Sequence, residues 1–151
     1  METKTGELKI TSPAFENEGN IPAKYSCDGE GVNPPLQIQN IPAGTKTLAL
    51  IAEDPDAPNG TFVHWIVYNI NPNEKIEEAS NPGTSGDNSA GKSGYHPACP
   101  PSGSHRYYFH VFALDKSLDM LAGRKKQDLE KEMKGHIIAS GKIMGRYERK
   151  K

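Results

Sequence analysis

The segment GDNSAGKS, residues 86–93, matches the phosphate-loop pattern G-x-x-x-x-G-K-[ST] at every fixed position. In nucleotide-binding proteins backbone amides of this loop cradle the phosphates, the lysine reaches the terminal phosphate and the hydroxyl group binds magnesium. Such a loop leaves a buried strand and opens a helix. Here the preceding EEASNPGTS is polar and contains Pro82, and the following GYHPACPPSG contains three prolines. Because prolines prevent a helix there, we interpret the match as coincidental.

Two carboxylates stand where an apolar run stops. The stretch EDPDAP, residues 53–58, places Asp54 and Asp56 on either side of a proline. Proline restricts its own φ angle and the conformation of the residue before it, so Pro58 helps to predict a rigid corner from which both carboxylates project. Hydrogen bonds to nearby turn amides are the alternative role of these aspartates.

Histidines and a tyrosine occur in two other apolar segments. His64 lies in FVHWIVYNI, where a core histidine with one hydrogen bond is the common explanation. In HRYYFHVFALD, strand alternation places His105 and Tyr107 on one face and Arg106 on the other. An imidazole and a phenol beside a Gly/Pro-rich loop provide hydrogen-bond donors for a small anion.

Two enzymatic interpretations use the same side chains. Asp54, His64 and His105 have the composition of a two-histidine, one-carboxylate metal site, and Cys99 with a histidine could provide a thiol nucleophile. A metal would require three converging ligands, whereas an aspartate readily orients a histidine. Cys99 precedes Pro100 and has no helix N-terminus to activate it. We therefore expect a non-catalytic protein without a metal or another cofactor.

The elements that must position these residues are predicted to be mostly β-strands. One amphipathic helix is predicted at residues 124–137, where Leu129, Met133 and Ile137 recur at intervals of four. Long loops are predicted at residues 12–35 and 79–104, which are rich in Gly, Pro and Ser. Apolar and β-branched runs predict the strands, at residues 8–11, 47–54, 61–70, 105–115 and 141–148.

Length and composition limit the class of protein. A chain of 151 residues predicts one domain over residues 1–151, and 15 glycines with 12 prolines favour turns and extended segments. A formal net charge of −1 gives no field that would attract nucleic acid. The opening METKTGELKI lacks a signal-peptide core and no run could span a membrane, so we expect a cytoplasmic protein without integral membrane contact. Such a compartment normally keeps Cys27 and Cys99 reduced.

Four blocks of the sequence, taken in order, resemble the phosphatidylethanolamine-binding protein family, also called the Raf kinase inhibitor protein family. They are IPAKYSCDGEGVNPPL, IPAGTKTLALIAEDPDAP, GKSGYHPACPPSGSHRYYFHVFALD and MKGHIIASGKIMGRYER. The shorter prokaryotic branch is the best match, and the resemblance covers nearly the whole chain. It implies a mainly β fold, a two-sheet β-sandwich with one or two short helices and long loops. It also implies a small cavity at one end that binds anions such as phosphate, acetate or the phosphoethanolamine headgroup.

The resemblance also implies which residues form the ligand pocket. Pro58 would fix the corner after the first carboxylate, and Arg106 would brace the loop from the opposite strand face. The ligand-binding residues would be Asp54, Asp56, His64, Pro101, His105 and Tyr107.

One departure and one pair of cysteines bear on the rim of this pocket. His96, Pro97 and Ala98 stand where prokaryotic relatives usually show a Gly-Gly-Pro type of stretch, and a bulkier rim would narrow the mouth or add a donor. Cys27 and Cys99 lie in loops that the resemblance brings together near the pocket, either as a disulfide or as two free thiols.

We therefore expect a binding protein for a small anionic or phosphorylated ligand, with protonated histidines facing the anion. The alternative is an inhibitor of a kinase or a serine protease, since family relatives are described in those roles and NPGTSGDNSAGKSG could be presented as an exposed loop. The resemblance also implies a homodimer, because prokaryotic relatives are often dimeric.

Overall fold

The computed structural model describes residues 6–149 of the chain. Those residues form mainly β-structure, with one short α-helix, α1 (Lys126–Met133), and a 3-10 turn at Ala23–Tyr25. The strands in chain order are β1 (Gly6–Glu7), β2 (Lys9–Thr11), β3 (Leu36–Gln39), β4 (Thr47–Asp54), β5 (Phe62–Ile70), β6 (Lys75–Ile76), β7 (Thr84–Ser85), β8 (Ser104–Leu114) and β9 (Ile137–Glu148).

The strands form two sheets. The larger has the order β1-β9-β8-β4-β5-β7 and the smaller has the order β2-β3-β6. All pairs are antiparallel except β1 with β9. The central strands β4 and β8 are thus each paired on both sides, which holds their ends in a fixed register.

The main core lies between the two sheets. Inward-facing residues alternate along β8, where Tyr107, Phe109 and Val111 are buried and the residues between them are half-exposed. They pack with side chains of the small sheet such as Leu36 and Ile38. This alternation is what a strand with one buried face requires.

A second apolar cluster covers the outer face of the large sheet. Leu129 and Met133 of α1 pack there on Ile51 and Ile66. Since both faces of β4 are therefore covered, its sequence TLALIAED reads as a continuous apolar run.

The predicted strands at 47–54, 61–70 and 105–115 agree with β4, β5 and β8 to within one residue at either end. The predicted helix at 124–137 is too long, because α1 ends at Met133 and Gly135 adopts a left-handed φ of 83°. Ile137 continues the helical spacing in the sequence but begins β9, four residues before the predicted last strand. Strand β3, with the alternating sequence LQIQ, was not predicted.

No helix within residues 6–149 is long and apolar enough to cross a membrane. The prediction that the chain opens without a signal peptide rests partly on residues 1–5, which lie outside the described residues.

Candidate functional site

A pocket lies where β4 ends and where β5 and β8 begin. Asp54 is opposite Phe62 in the β4–β5 register, and Glu53 is opposite Tyr108 in the β4–β8 register. Alternation places Asp54 on the inner face of the sheet, together with His105 and Tyr107 of β8. The cavity measures about 120 Å³ and is lined by Asp54, Ala57, Pro58, Phe62, His64, His96, Pro97, Cys99, Pro100, Pro101, His105 and Tyr107.

Asp54 is buried and orients one histidine of the pocket. Its Oδ2 accepts a hydrogen bond of 2.6 Å from Nδ1–H of His105, and its Oδ1 accepts one of 2.8 Å from the backbone N–H of Asp56. A carboxylate can only accept, so the proton lies on Nδ1 of His105. Nε2 of His105 then remains as the ring nitrogen that a ligand can meet. Asp54 thus combines the turn-amide role and the pocket role that the sequence left open.

His64 is oriented by the backbone of the facing loop. Its Nδ1–H donates to the carbonyl oxygen of His96 at 2.7 Å, and the residue is only 6 % exposed. Burial is the main cause that lowers the pKa of His64 to about 4, although the hydrogen bond to His96 acts in the opposite direction. His64 is therefore neutral at neutral pH. The expectation of protonated histidines does not hold for His64, because burial disfavours its charged form.

Tyr107 supplies the pocket with a hydroxyl group. Among residues 6–149 nothing hydrogen-bonds to its Oη, and its side chain is buried against the pocket. Its ring meets that of His64 edge-on with centroids 5.2 Å apart. Burial, and then the nearby Asp54 carboxylate, raise the pKa of Tyr107, so the hydroxyl keeps its proton and can donate it.

Asp56 and Arg106 form an ion pair beside the pocket. The Asp56 carboxylate accepts hydrogen bonds from the backbone N–H, Nε and Nη2 of Arg106, at 2.9, 2.9 and 2.8 Å. These contacts hold the pKa of Asp56 at about 2. Asp56 is not among the lining residues, so the structure places it in the brace that the sequence assigned to Arg106 alone. The brace fixes the turn that carries Pro58.

The outer wall of the pocket is one loop held against another. Cys99 forms a disulfide with Cys27, with Cα atoms 5.4 Å apart. The backbone N–H of Cys27 donates to the carbonyl of Ala98 at 3.0 Å, and the hydroxyl of Tyr95 donates to the carbonyl of Tyr25 at 2.8 Å. From the expected cytoplasmic location we predicted reduced cysteines. Instead, these loops bring the two Cα atoms well within the distance that a disulfide can bridge, about 7 Å.

Several pocket residues were not predicted from the sequence. Phe62 lies two residues before His64 on the same strand face, which is a signal that could have found it. Nothing in the sequence could indicate the role of the backbone carbonyl of His96, because every residue has a backbone carbonyl. The ring of His96, noted as a departure at the rim, lies 5.3 Å from Phe62 and 5.6 Å from His64 between centroids.

The metal-site hypothesis concerned Asp54, His64 and His105. Within residues 6–149 no three His, Cys, Asp or Glu side chains are grouped so that they could hold a metal ion. In this structure one of the two histidines hydrogen-bonds to Asp54 and the other to a backbone carbonyl.

The phosphate-loop match at residues 86–93 lies apart from the pocket. The backbone N–H groups of residues 86–92 all donate to oxygen atoms of the protein, so none of them is left to cradle a phosphate. Gly86 is required by packing, since a Cβ there would lie 2.3 Å from the carbonyl oxygen of Arg124. The two-residue strand β7 comes directly before the segment, and the next element after it is the strand β8 rather than a helix.

Comparison with known proteins gives one consistent family. A family model described as phosphatidylethanolamine-binding protein matches residues 11–148. A UPF0098 protein of Chlamydia muridarum is 46% identical over 148 residues, which cover 93% of this chain and 99% of that protein. One from Methanothermobacter thermautotrophicus is 40% identical over 150 residues, covering 94% and 99%.

Two crystal structures have the same fold. CT736 from Chlamydia trachomatis, described as a phosphatidylethanolamine-binding protein homologue, aligns with a TM-score of 0.93 and 43% identity over 97% of this chain and 100% of that one. YbcL from Escherichia coli, described as a member of the mammalian family, aligns with a TM-score of 0.87 and 26% identity over 96% and 100%. The described residues form the two-sheet fold that these structures share, and the chain belongs to the phosphatidylethanolamine-binding protein family.

Proposed function

We propose that the chain is a non-catalytic binding protein whose pocket holds one small oxyanion, such as phosphate or the phosphate group of a larger ligand. The observation that carries this proposal is the buried pair of Asp54 and His105 at the pocket. The hydrogen bond to Asp54 keeps a proton on Nδ1 of His105. When Nε2 is protonated as well, His105 is a charged hydrogen-bond donor, and the Asp54 carboxylate balances its charge. The hydroxyl of Tyr107 is a second donor.

The size of the pocket supports a small ligand. Its volume of about 120 Å³ is close to that of an engineered cavity of about 150 Å³ that holds benzene. A phosphate ion or a small phosphorylated headgroup fits such a space, whereas the acyl chains of a phospholipid do not. The pocket therefore suits a small oxyanion or a terminal phosphate group rather than a whole phospholipid.

The state of Cys99 supports binding over thiol catalysis. The thiol-enzyme interpretation requires a free Cys99, but its sulfur is bonded to Cys27. The histidine of the Asp54–His105 pair therefore has no thiolate to activate at the pocket wall.

Single substitutions at the two histidines test the proposal. His105→Ala removes a charge-assisted donor and should weaken phosphate binding about 10- to 100-fold. His64→Ala removes a neutral partner and should weaken it about 3- to 10-fold. Both variants should remain folded, because the apolar core between the sheets does not depend on these rings. His136→Ala changes a histidine that pairs with Asp115 and lies outside the pocket-lining set; it should bind phosphate like the wild type.

Isothermal titration calorimetry with inorganic phosphate measures these affinities, and circular dichroism checks the fold. Equal phosphate affinity in His105→Ala and the wild type would refute the proposal.

A further inference from the structure

We infer that the pocket selects oxyanions that carry a hydrogen atom on oxygen over oxyanions that carry none. Dihydrogen phosphate and the monoanion of a phosphate monoester belong to the first class, and sulfate and phosphate diesters belong to the second. The inference rests on the proposed oxyanion-binding function and adds to it the class of ligand. The feature that carries it is the tautomer of His64.

The backbone imposes that tautomer. Nδ1 of His64 lies 2.7 Å from the carbonyl oxygen of His96. A carbonyl oxygen can only accept a hydrogen bond, so Nδ1 must carry the proton. In a neutral imidazole the other nitrogen is then an acceptor. Nε2 of His64 therefore presents a lone pair to the pocket that this residue lines.

The surroundings keep the ring neutral. His64 is buried beside Asp54 of β4, His105 and Tyr107 of β8, and His96 of the wall. Burial is the largest cause that lowers the pKa of His64 to about 4, and the positive charges that His96 and His105 can carry contribute to the same lowering. Asp54 acts in the opposite direction, but its Oδ2 is hydrogen-bonded to His105.

A lone pair that faces the bound ligand discriminates between ligands by their hydrogen atoms. An oxyanion with an O–H group donates to Nε2 of His64 and satisfies it. A fully ionised oxyanion places a second lone pair against the first, which cuts the acceptor off from water without a partner and adds repulsion. We expect such a mismatch to reduce affinity by about tenfold or more.

The other two polar groups of the pocket suit the ionised oxygens of the same ligand. The hydroxyl of Tyr107 is a donor, and Nε2 of His105 becomes one when the ring is protonated. The site thus combines two donors with one acceptor. A dihydrogen phosphate ion offers the complementary set of oxygens with and without hydrogen.

Four probes test the inference at a pH of about 6, where phosphate monoesters keep a proton for a substantial part of the time. They are inorganic phosphate, monomethyl phosphate, dimethyl phosphate and sulfate. Sulfate has the shape of phosphate and more negative charge, so a pocket that reads only charge would favour it. Dimethyl phosphate has the single charge of dihydrogen phosphate but no O–H group.

Calorimetric titration should give phosphate and monomethyl phosphate at least about tenfold tighter binding than sulfate and dimethyl phosphate. His64→Gln replaces the fixed acceptor by an amide that can turn either its oxygen or its nitrogen to the ligand. In that variant the ratio of sulfate to phosphate affinity should move toward one. His136→Gln, outside the pocket, should keep the wild-type ratio.

The outcomes separate this inference from the proposed function. If phosphate binds and sulfate binds as tightly or more tightly, the inference is wrong and the oxyanion pocket stands. If no probe binds, both fail. Nitrogen-15 shifts of the His64 ring in the phosphate complex give a check that does not need the variant. One protonated nitrogen supports the inference, and two would overturn it.

Discussion

Asp54 uses its two carboxylate oxygens for two different partners, the backbone of its own turn and the ring of His105. The sequence indicated that this aspartate ends an apolar strand at a rigid corner, and proline chemistry was enough to predict that. The pairing with His105 could not be derived from local pattern, because 51 residues separate the two. The same limit applies to Asp56. Within EDPDAP nothing distinguishes its role from that of Asp54, and only the position of Arg106 on the neighbouring strand does so.

Lys92 should be dispensable, although it occupies the lysine position of a phosphate-loop pattern. The amides of residues 86–92 are already engaged and Lys92 itself is exposed. Lys92→Ala should change the free energy of unfolding by less than about 0.5 kcal/mol and leave phosphate affinity unchanged. Denaturant unfolding and calorimetry measure the two quantities. Saturable, magnesium-dependent nucleotide binding that disappears in this variant would contradict our interpretation.

His64 should make the protein sensitive to acid. Its pKa is about 4 in the folded chain and 6.5 as an unperturbed group, so between these pH values the unfolded state binds more protons. The free energy of unfolding should therefore fall as the pH falls from about 6.5 to about 4, by on the order of 3 kcal/mol in total.

Denaturant unfolding at a series of pH values measures this loss, and His64→Gln should remove most of it while His136→Gln should not. Asp56 and Glu53, whose pKa values are held at about 2 by Arg106 and by His110 with Lys126, contribute at lower pH. Their stabilisation is lost only as the pH falls below the ordinary carboxyl range. An unchanged slope between pH 6.5 and 4 in His64→Gln would show that another group dominates.

At the scale of elements, the strands that carry the pocket were the most predictable part of the chain. β4, β5 and β8 are long apolar runs, two of them buried on both faces for most of their length. Short pieces were not predictable, because β6 and β7 have two residues each and depend on their partners for their conformation. The end of α1 was misjudged because Ile137 has helical spacing, whereas Gly135 turns the chain into β9.

The disulfide between the two wall loops should contribute to stability more than to ligand recognition. It closes a segment with a sequence separation of 72 residues, for which chain entropy predicts about 4 kcal/mol. Replacing both Cys27 and Cys99 by Ser should lower the free energy of unfolding by up to that amount, as measured by denaturant unfolding.

The pocket should persist in this double variant, because the loops are also joined by a backbone hydrogen bond from Cys27 to Ala98 and by one from the hydroxyl of Tyr95 to the carbonyl of Tyr25. We expect its phosphate affinity to stay within about threefold of the wild-type value, since the loss of one constraint leaves the polar groups of the pocket in place. Loss of phosphate binding in a folded double variant would show that the disulfide itself shapes the site.

At the scale of the whole molecule, two sheets meet in one core, and the pocket opens at the end where three strands of the larger sheet stop or start. The resemblance of four sequence blocks predicted this architecture, and the family comparison confirms it. Composition and periodicity alone indicated only a mainly β chain, because strand order depends on contacts between distant segments. Which pocket atoms donate and which accept could be assigned only from the structure. For example, a hydrogen bond to the backbone carbonyl of His96 decides which nitrogen of His64 is an acceptor.

The most direct test of the central claim is a titration of the wild-type protein with inorganic phosphate, followed by two-dimensional NMR. We predict saturable shifts for the side-chain and backbone signals of Asp54, His64, His105 and Tyr107, with little change in residues 86–93. Unchanged signals at these four residues, or shifts confined to residues 86–93, would contradict the account.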